Sequence, residues 1–239
     1  MICFLTSRTD LPVTGALNPA NGLREGLRRA VPRDCRALYI SSDPEGHEKT
    51  DFYSACLKTS FEGAGFRFRD FGILDGRTEE RAAELVRSTD LIVLTGGHVP
   101  TQNRFFQRIG LRGLLKDFPG VIVGISAGSM NSAELVYAQP EEEGEAIDPA
   151  YERFLPGLGL TKTMLLPHYQ EVKDDVLDGL RLFEDITYPD SMGRTFYAIP
   201  DGSYLYIGNG REELRGEAYA IRDGGITKVA EDGDILRLS

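Results

Sequence analysis

Tryptophan is absent from the 239 residues, and cysteine and histidine occur only three times each. Cys3, Cys35 and Cys56 are an odd number at wide spacing, which excludes a disulfide framework and the close Cys pairs of a zinc site. Cys3 lies in an apolar strand-like run and Cys56 in a helix-like segment, so both are expected as buried thiols of a reducing compartment. Basic residues are also scarce: 27 Lys and Arg against 37 Asp and Glu leave a net charge of −10. That deficit removes the basic footprint that nucleic acid or an anionic membrane would need, so neither is expected as a partner. No apolar run approaches the ~20 residues that span a bilayer. The opening Met1-Ile2-Cys3-Phe4-Leu5-Thr6 is too short and too little charged for a signal peptide. It reads as a first strand, and the expected location is the cytoplasm. The glycine-rich turns lack a dinucleotide fingerprint and no Walker lysine follows them, so no metal or organic cofactor is implied.

What is present is a regular alternation. Short apolar runs at Ile2–Thr6, Ala37–Ser41, Phe66–Phe71, Leu91–Leu94 and Val121–Ile125 read as strands. Between them, Pro19–Val31, Thr50–Gly63, Thr78–Ser88 and Thr101–Asp117 carry apolar residues at helical spacing, as in Phe52, Cys56, Leu57 and Phe61. This rhythm predicts an α/β fold: a three-layer, open, mostly parallel sheet with right-handed crossovers. From about Ala138 the rhythm breaks. Gln139–Pro149 is an acidic loop, placed where it could cover a site. A strand over Lys162–Leu166, a helix over Val172–Asp185 and a strand over Thr195–Ile199 follow. The tail, about 203–239, reads as a C-terminal β-meander with turns at Gly208-Asn209-Gly210 and Asp223-Gly224-Gly225. No linker or repeat interrupts the chain, so residues 1–239 are expected to form one domain.

The chemistry is concentrated at Val121-Ile122-Val123-Gly124-Ile125-Ser126-Ala127-Gly128. A β-branched run ending in Gly-x-Ser-x-Gly before a helix-compatible stretch is the sequence form of a nucleophile elbow. The glycines fit because the turn is crowded, and a serine at a helix N-terminus has backbone N–H groups beside it for a developing oxyanion. A nucleophilic serine needs a base. Of the three histidines, His47 lies in a polar loop, His98 follows Gly96-Gly97 after a strand, and His168 follows the strand-like Met164-Leu165-Leu166. Active sites of open parallel sheets collect at carboxyl ends of strands, which favours His98 and His168, and His168 above all. No histidine follows His168, so the Ser, acid, His order of an α/β-hydrolase does not fit. A class I glutamine amidotransferase would have cysteine at the elbow and glutamate two residues after the histidine, where this chain has Ser126 and Gln170.

The elbow, the upstream Leu94-Thr95-Gly96-Gly97 and Leu166-Pro167-His168-Tyr169 together resemble the peptidase E and cyanophycinase-like family of serine peptidases. That resemblance covers roughly residues 1–207 and implies a class I glutamine amidotransferase-like, flavodoxin-like fold. It implies a triad of Ser126, His168 and, in Ile199-Pro200-Asp201-Gly202, Asp201. The oxyanion donors would be the N–H groups of Gly97 and Ala127, and the substrate a small peptide. The chain departs from the family in three places. Asp201 stands where glutamate is usual and is one methylene shorter. His98 replaces the asparagine that usually follows the Gly-Gly, which makes it a candidate substrate-binding residue. The stretch Tyr169–Val176 lacks the arginine-bearing segment of peptidase E, so aspartyl specificity is not implied. A catalytically silent ligand-binding member and an esterase or amidase on non-peptide substrates remain as alternatives. A homodimer is compatible with the sequence but not demanded by it.

Overall fold

The strands made almost wholly of apolar residues are those buried on both faces, with Arg36 the one exposed residue among them. In the computed structural model, which describes residues 1–238, these are β1 (Ile2–Thr6), β2 (Cys35–Ile40), β4 (Leu91–Leu94) and β5 (Val121–Ile125). β3 (Phe68–Leu74) lies at one edge and carries exposed Arg69 and Asp70, as an edge strand should. The order in the large sheet is β16 (Ile235–Arg237), β13 (Arg211–Arg215), β12 (Tyr204–Gly208), then β1-β5-β4-β2-β3. The segment from β1 to β3 is parallel throughout. Alternate side chains divide between two cores. Cys3, Leu5, Leu38, Ile40, Ile92, Leu94 and Ile122 face α3 (Ala82–Arg87), α4 (Val99–Arg108) and α5 (Leu111–Leu115). Phe4, Ala37, Leu91, Val93, Val121 and Val123 face α1 (Leu23–Ala30) and α2 (His47–Gly63). This is the mostly parallel, helix-covered sheet that the alternation predicts.

After α6 (Ala127–Met130) come the paired strands β6 (Leu135–Tyr137) and β7 (Phe154–Pro156), then β8 (Met164–Leu166) and α7 (Tyr169–Val172). The helix expected over Val172–Asp185 does not form as one piece. Asp178 and Gly179 both have positive φ (54° and 80°), the geometry of a two-residue hairpin turn, and join β9 (Val176–Leu177) to β10 (Leu180–Arg181). A wide helical turn over Leu182–Thr187 follows. The same turn chemistry recurs at Asn209-Gly210 and Asp223-Gly224, where the tail was expected to reverse. The C-terminal strands form, with one addition to the expected meander: they divide between two sheets. β12 (Tyr204–Gly208) pairs antiparallel with β1, and β13 (Arg211–Arg215) and β16 (Ile235–Arg237) extend the large sheet by successive antiparallel pairings. β14 (Ala218–Arg222) and β15 (Gly225–Ala230) join β11 (Thr195–Ala198) and β8 in a second sheet of order β15-β14-β11-β8. A third core, with Tyr137 stacked on Phe196 at 4.3 Å, backs that sheet.

Other boundaries moved for identifiable reasons. Left-handed Gly65 ends α2, and Phe66 packs on Phe61 as part of that cap instead of opening β3. Left-handed Gly110 splits the expected helix over Thr101–Asp117 into α4 and α5. α2 begins at His47, which is therefore helical and not in a loop. Its inner face is Thr50, Ser54, Leu57 and Phe61, so the expected stripe is rotated, and Phe52 and Cys56 are exposed. Cys3 is buried as expected, and so is Cys35. Among the described residues no helix is long and apolar enough to cross a membrane.

The contact between α6 and β4 depends on Gly128, where a Cβ would overlap the Leu94 carbonyl. Gly128→Ala is expected to cost about 1–3 kcal/mol or more by overpacking. Gly113→Ala, in α5 with no atom within 4 Å of the added Cβ, should instead stabilise by roughly 0.5–1 kcal/mol. Urea denaturation of the two variants checks the opposite signs.

Candidate active site

The carboxyl ends of β1, β2, β4 and β5 open into one cavity of about 910 Å³, lined among others by Ser7, Ser42, Gly97, His98, Ser126 and His168. Ser126 is the residue between β5 and α6, and its backbone is strained at φ 49°, ψ −115°. Non-glycine residues hold such a conformation only where their surroundings over-determine it, at roughly 1–3 kcal/mol each. Here the Ser126 N–H donates to the Thr6 and Ser7 carbonyls at 3.0 and 3.2 Å. Gly96 packs directly against the Ser126 side chain.

His168, immediately after β8, is also left-handed, at φ 58°. Its Nδ1 lies 2.8 Å from Asp201 Oδ1. Asp201 follows β11, the parallel neighbour of β8, and its N–H donates to Gln170 Oε1 at 2.9 Å. Burial acts to raise the Asp201 carboxyl. Hydrogen bonds from His168 and Ser7 and the nearby charges of His168 and Arg8 outweigh it and hold the carboxyl below its usual range. Arg8 Nε lies 3.6 Å from Asp201 Oδ2.

Across the cavity, the N–H groups of Gly97 and Ala127 have no acceptor among the described residues. Gly97, three residues past β4, has φ 151°, and a Cβ there would collide with Ser42, so only glycine fits at this position. The structure therefore places Ser126, His168, Gly97 and His98 in the lining of one cavity, with Asp201 bonded to His168 and Ala127 next to Ser126 in the chain. It does not join all of them: no hydrogen bond links Ser126 Oγ to His168 among the described residues. His47 is not among the residues lining the cavity.

The sequence matches Peptidase family S51 over residues 28–215. The chain belongs to that family. It is thus a hydrolase of the peptidase kind, serine-type in general terms. A 1.5 Å crystal structure of a Listeria monocytogenes EGD-e protein, provisionally designated a peptidase E, is similar in fold at a TM-score of 0.54. It is 20% identical, with 100% of this chain and 98% of that chain covered. No curated protein matches the sequence.

Within this S51 chain, several residues at the site carry no motif in the sequence. Ser7 and Arg8 follow β1, and the strand-end argument that favoured His98 and His168 applies equally to them. Gln170 and Glu145 gave no comparable signal. His98, the candidate substrate-binding residue, lines the cavity with both ring nitrogens engaged. Nδ1 is 2.8 Å from Thr101 Oγ1 and Nε2 is 2.8 Å from Glu145 Oε1. The other Glu145 oxygen accepts the N–H groups of Glu141 and Glu142, at 2.9 and 3.0 Å. Asp178 accepts the N–H groups of Gly144 and Ala146 from the opposite side. The middle of the acidic loop is thus tied to His98 through Glu145 and to Asp178 through Gly144 and Ala146, and Glu142 lines the cavity.

His98, Glu142 and Glu145 bring ligand-type atoms within 4.8 Å of one another, as do His168, Glu171 and Asp201. In both sets the histidine and one carboxylate already bind each other, so a cation would have to displace a formed hydrogen bond.

Burial acts to raise the Glu145 carboxyl, but the two amide donors and His98 hold it lower than usual. A depressed carboxyl contributes its stabilisation above its pKa and loses it as pH falls through that value. Hydrogen-exchange protection of the Glu141 and Glu142 amides should therefore persist at neutral pH and fall on acidification into the carboxylate range. Glu145→Ala should abolish that protection at every pH. Unchanged protection in the variant would show that the loop is held by other contacts.

Proposed function

We propose that this S51 member cleaves peptide bonds of short peptides through an acyl-enzyme on Ser126. The observation that carries this reading is the Nδ1-to-carboxylate pairing of His168 with Asp201 on the cavity that holds a backbone-strained serine. With Nδ1 engaged by a carboxylate, His168 Nε2 is the nitrogen free to take the Ser126 proton and later deliver it to the leaving amine. Asp201 orients the ring and stabilises the imidazolium that forms. The carbonyl oxygen, turning negative, would rest on the Gly97 and Ala127 N–H groups, each such donor being worth roughly 10²–10³ in rate. The missing Ser126–His168 hydrogen bond is compatible with this chemistry, because catalytic bonds commonly close only around substrate.

Short peptides are favoured by the cavity, whose 910 Å³ falls in the range that encloses a small ligand (roughly 300–1,000 Å³). The acidic loop fastened at its rim adds to the enclosure. A binding cleft without turnover is the second reading, drawn from the unmade Ser126–His168 bond. It predicts peptide binding with no labelling of the serine.

A fluorophosphonate probe should label wild-type protein at Ser126, and Ser126→Ala should stay unlabelled. On a short-peptide panel, Ser126→Ala and His168→Ala should each lose about 10⁴-fold or more in kcat, and Asp201→Asn a comparable factor. His47→Ala should retain near wild-type rates. Because the Asp201 carboxyl is depressed, its pairing with His168 is complete at neutral pH and fails only as pH falls through the carboxylate range. Loss of labelling in wild type, or equal effects of the two histidine variants, would remove the mechanism.

A further inference from the structure

The hydroxyl of Ser7 touches both partners of the proposed triad that the serine must rely on, and neither the elbow nor any other motif includes it. We propose that Ser7 is a positioning residue of the reaction, fixing His168 and Asp201 relative to each other and to Ser126. The proposal rests on the triad reading above.

Ser7 is fully buried at 0% exposure. Its Oγ is 2.6 Å from Asp201 Oδ1 and 2.8 Å from the backbone nitrogen of His168. A serine hydroxyl has one proton to give and two lone pairs to accept with. The backbone nitrogen can only donate, so Ser7 accepts there, and the Ser7 proton goes to the ionised carboxylate. That carboxylate has no proton of its own, so the 2.8 Å contact between His168 Nδ1 and Asp201 Oδ1 is made by an Nδ1–H. Ser7 Oγ lies 3.4 Å from the same Nδ1, beside the pair and not between its members. The network thereby selects the tautomer with Nε2 unprotonated, the form a general base requires.

The backbone bond matters as much. A left-handed histidine at φ 58° is an uncommon conformation that has to be held in place, and the Ser7 hydroxyl holds its N–H. The Ser7 carbonyl in turn accepts the Ser126 N–H at 3.2 Å. One residue thus contacts the nucleophile's backbone, the base's backbone and the acid's side chain. Ser7 can act as a reference point because it is the next residue after β1. Thr6, at the end of β1, pairs with Ile125 on one side and Tyr204 on the other, and the Ser7 N–H donates to the Ser203 carbonyl at 3.4 Å.

The test is the rate of fluorophosphonate labelling at Ser126, with cooperative thermal melting as the check on folding. Ser7→Ala removes hydrogen bonds to a charged carboxylate and to a buried N–H, and labelling should slow about 10- to 100-fold. A merely structural role would slow labelling by the same factor whether or not His168 is present. The decisive measurement is therefore the double-mutant cycle. In a His168→Ala background, Ser7→Ala should change the residual rate by less than about twofold, because the group it positions is gone. If Ser7→Ala does not melt cooperatively, Ser7→Cys carries the test, since it retains a similar shape with only a weak donor. It should also slow labelling at least about tenfold. Wild-type rates in the folded Ser7 variant, or an undiminished effect in the His168→Ala background, overturn the proposal. Absence of Ser126 labelling in wild type is a different outcome: it overturns the triad reading and the Ser7 proposal with it.

Discussion

The two carbonyls that receive the Ser126 N–H belong to Thr6 and Ser7, and a serine at φ 49°, ψ −115° could not persist without them. Two side-chain bonds reinforce the same junction. Thr6 Oγ1 donates to the Gly124 carbonyl at 2.8 Å, and Ser129 Oγ donates to the Thr6 carbonyl at 2.7 Å. The end of β1 is therefore fixed to both sides of the elbow, before it in β5 and after it in α6. β1 is suited to this because it lies inside the large sheet, between its parallel and antiparallel halves, with paired neighbours on both edges. A strained turn held from an edge strand would relax by moving the strand. Held from this position, it cannot relax without breaking the sheet.

The second sheet solves a different problem. His168 and Asp201 are far apart in sequence, but Leu166 and Ala198 are register partners in parallel strands. The chain leaves both strands in the same direction, so His168 and Asp201 emerge side by side. That register explains how an aspartate reaches the imidazole at 2.8 Å although it is a methylene shorter than the acid usual in the resembling family. The shorter side chain is met by a close backbone approach, supported where Gln170 accepts the Asp201 N–H. One sheet thus delivers Ser126 and the free N–H of Gly97, and the other delivers the imidazole–carboxylate pair.

How much of this could be read in the sequence follows from the kind of constraint each residue meets. The elbow was legible because steric crowding leaves a compositional trace: Gly124 and Gly128 stand where a side chain would strike Leu5, Ser129 or Leu94. His168 was legible by elimination, since there are only three histidines. The parallel sheet was legible because strands buried on both faces must be continuously apolar. Ser7, Gln170 and Glu145 were not, because a hydroxyl, an amide and a carboxylate are common everywhere and their partners lie far off in sequence. α2 misled for a related reason. Its inner face uses Thr50 and Ser54, with Thr50 Oγ1 bonded to Ser41 Oγ at 2.8 Å, so polarity did not mark the outside. The stretch Val172–Asp185 misled because the hairpin turn at Asp178-Gly179 outweighed helical spacing.

The distribution of rigidity at the site bears on the one bond it lacks. The backbones of Ser126 and His168 are both pinned at positive φ, and the imidazole is held by Asp201. Ala127 is fixed as the first residue of α6, and Gly97 by its close packing against Ser42. What remains unpinned is the rotation of Ser126 about its Cα–Cβ bond, which has only three staggered positions. A peptide carbonyl seated on the Gly97 and Ala127 N–H groups would favour the rotamer that faces it. In this arrangement the backbone cost of holding Ser126 and His168 is met on folding, and the Ser126 side-chain torsion is what is left to set.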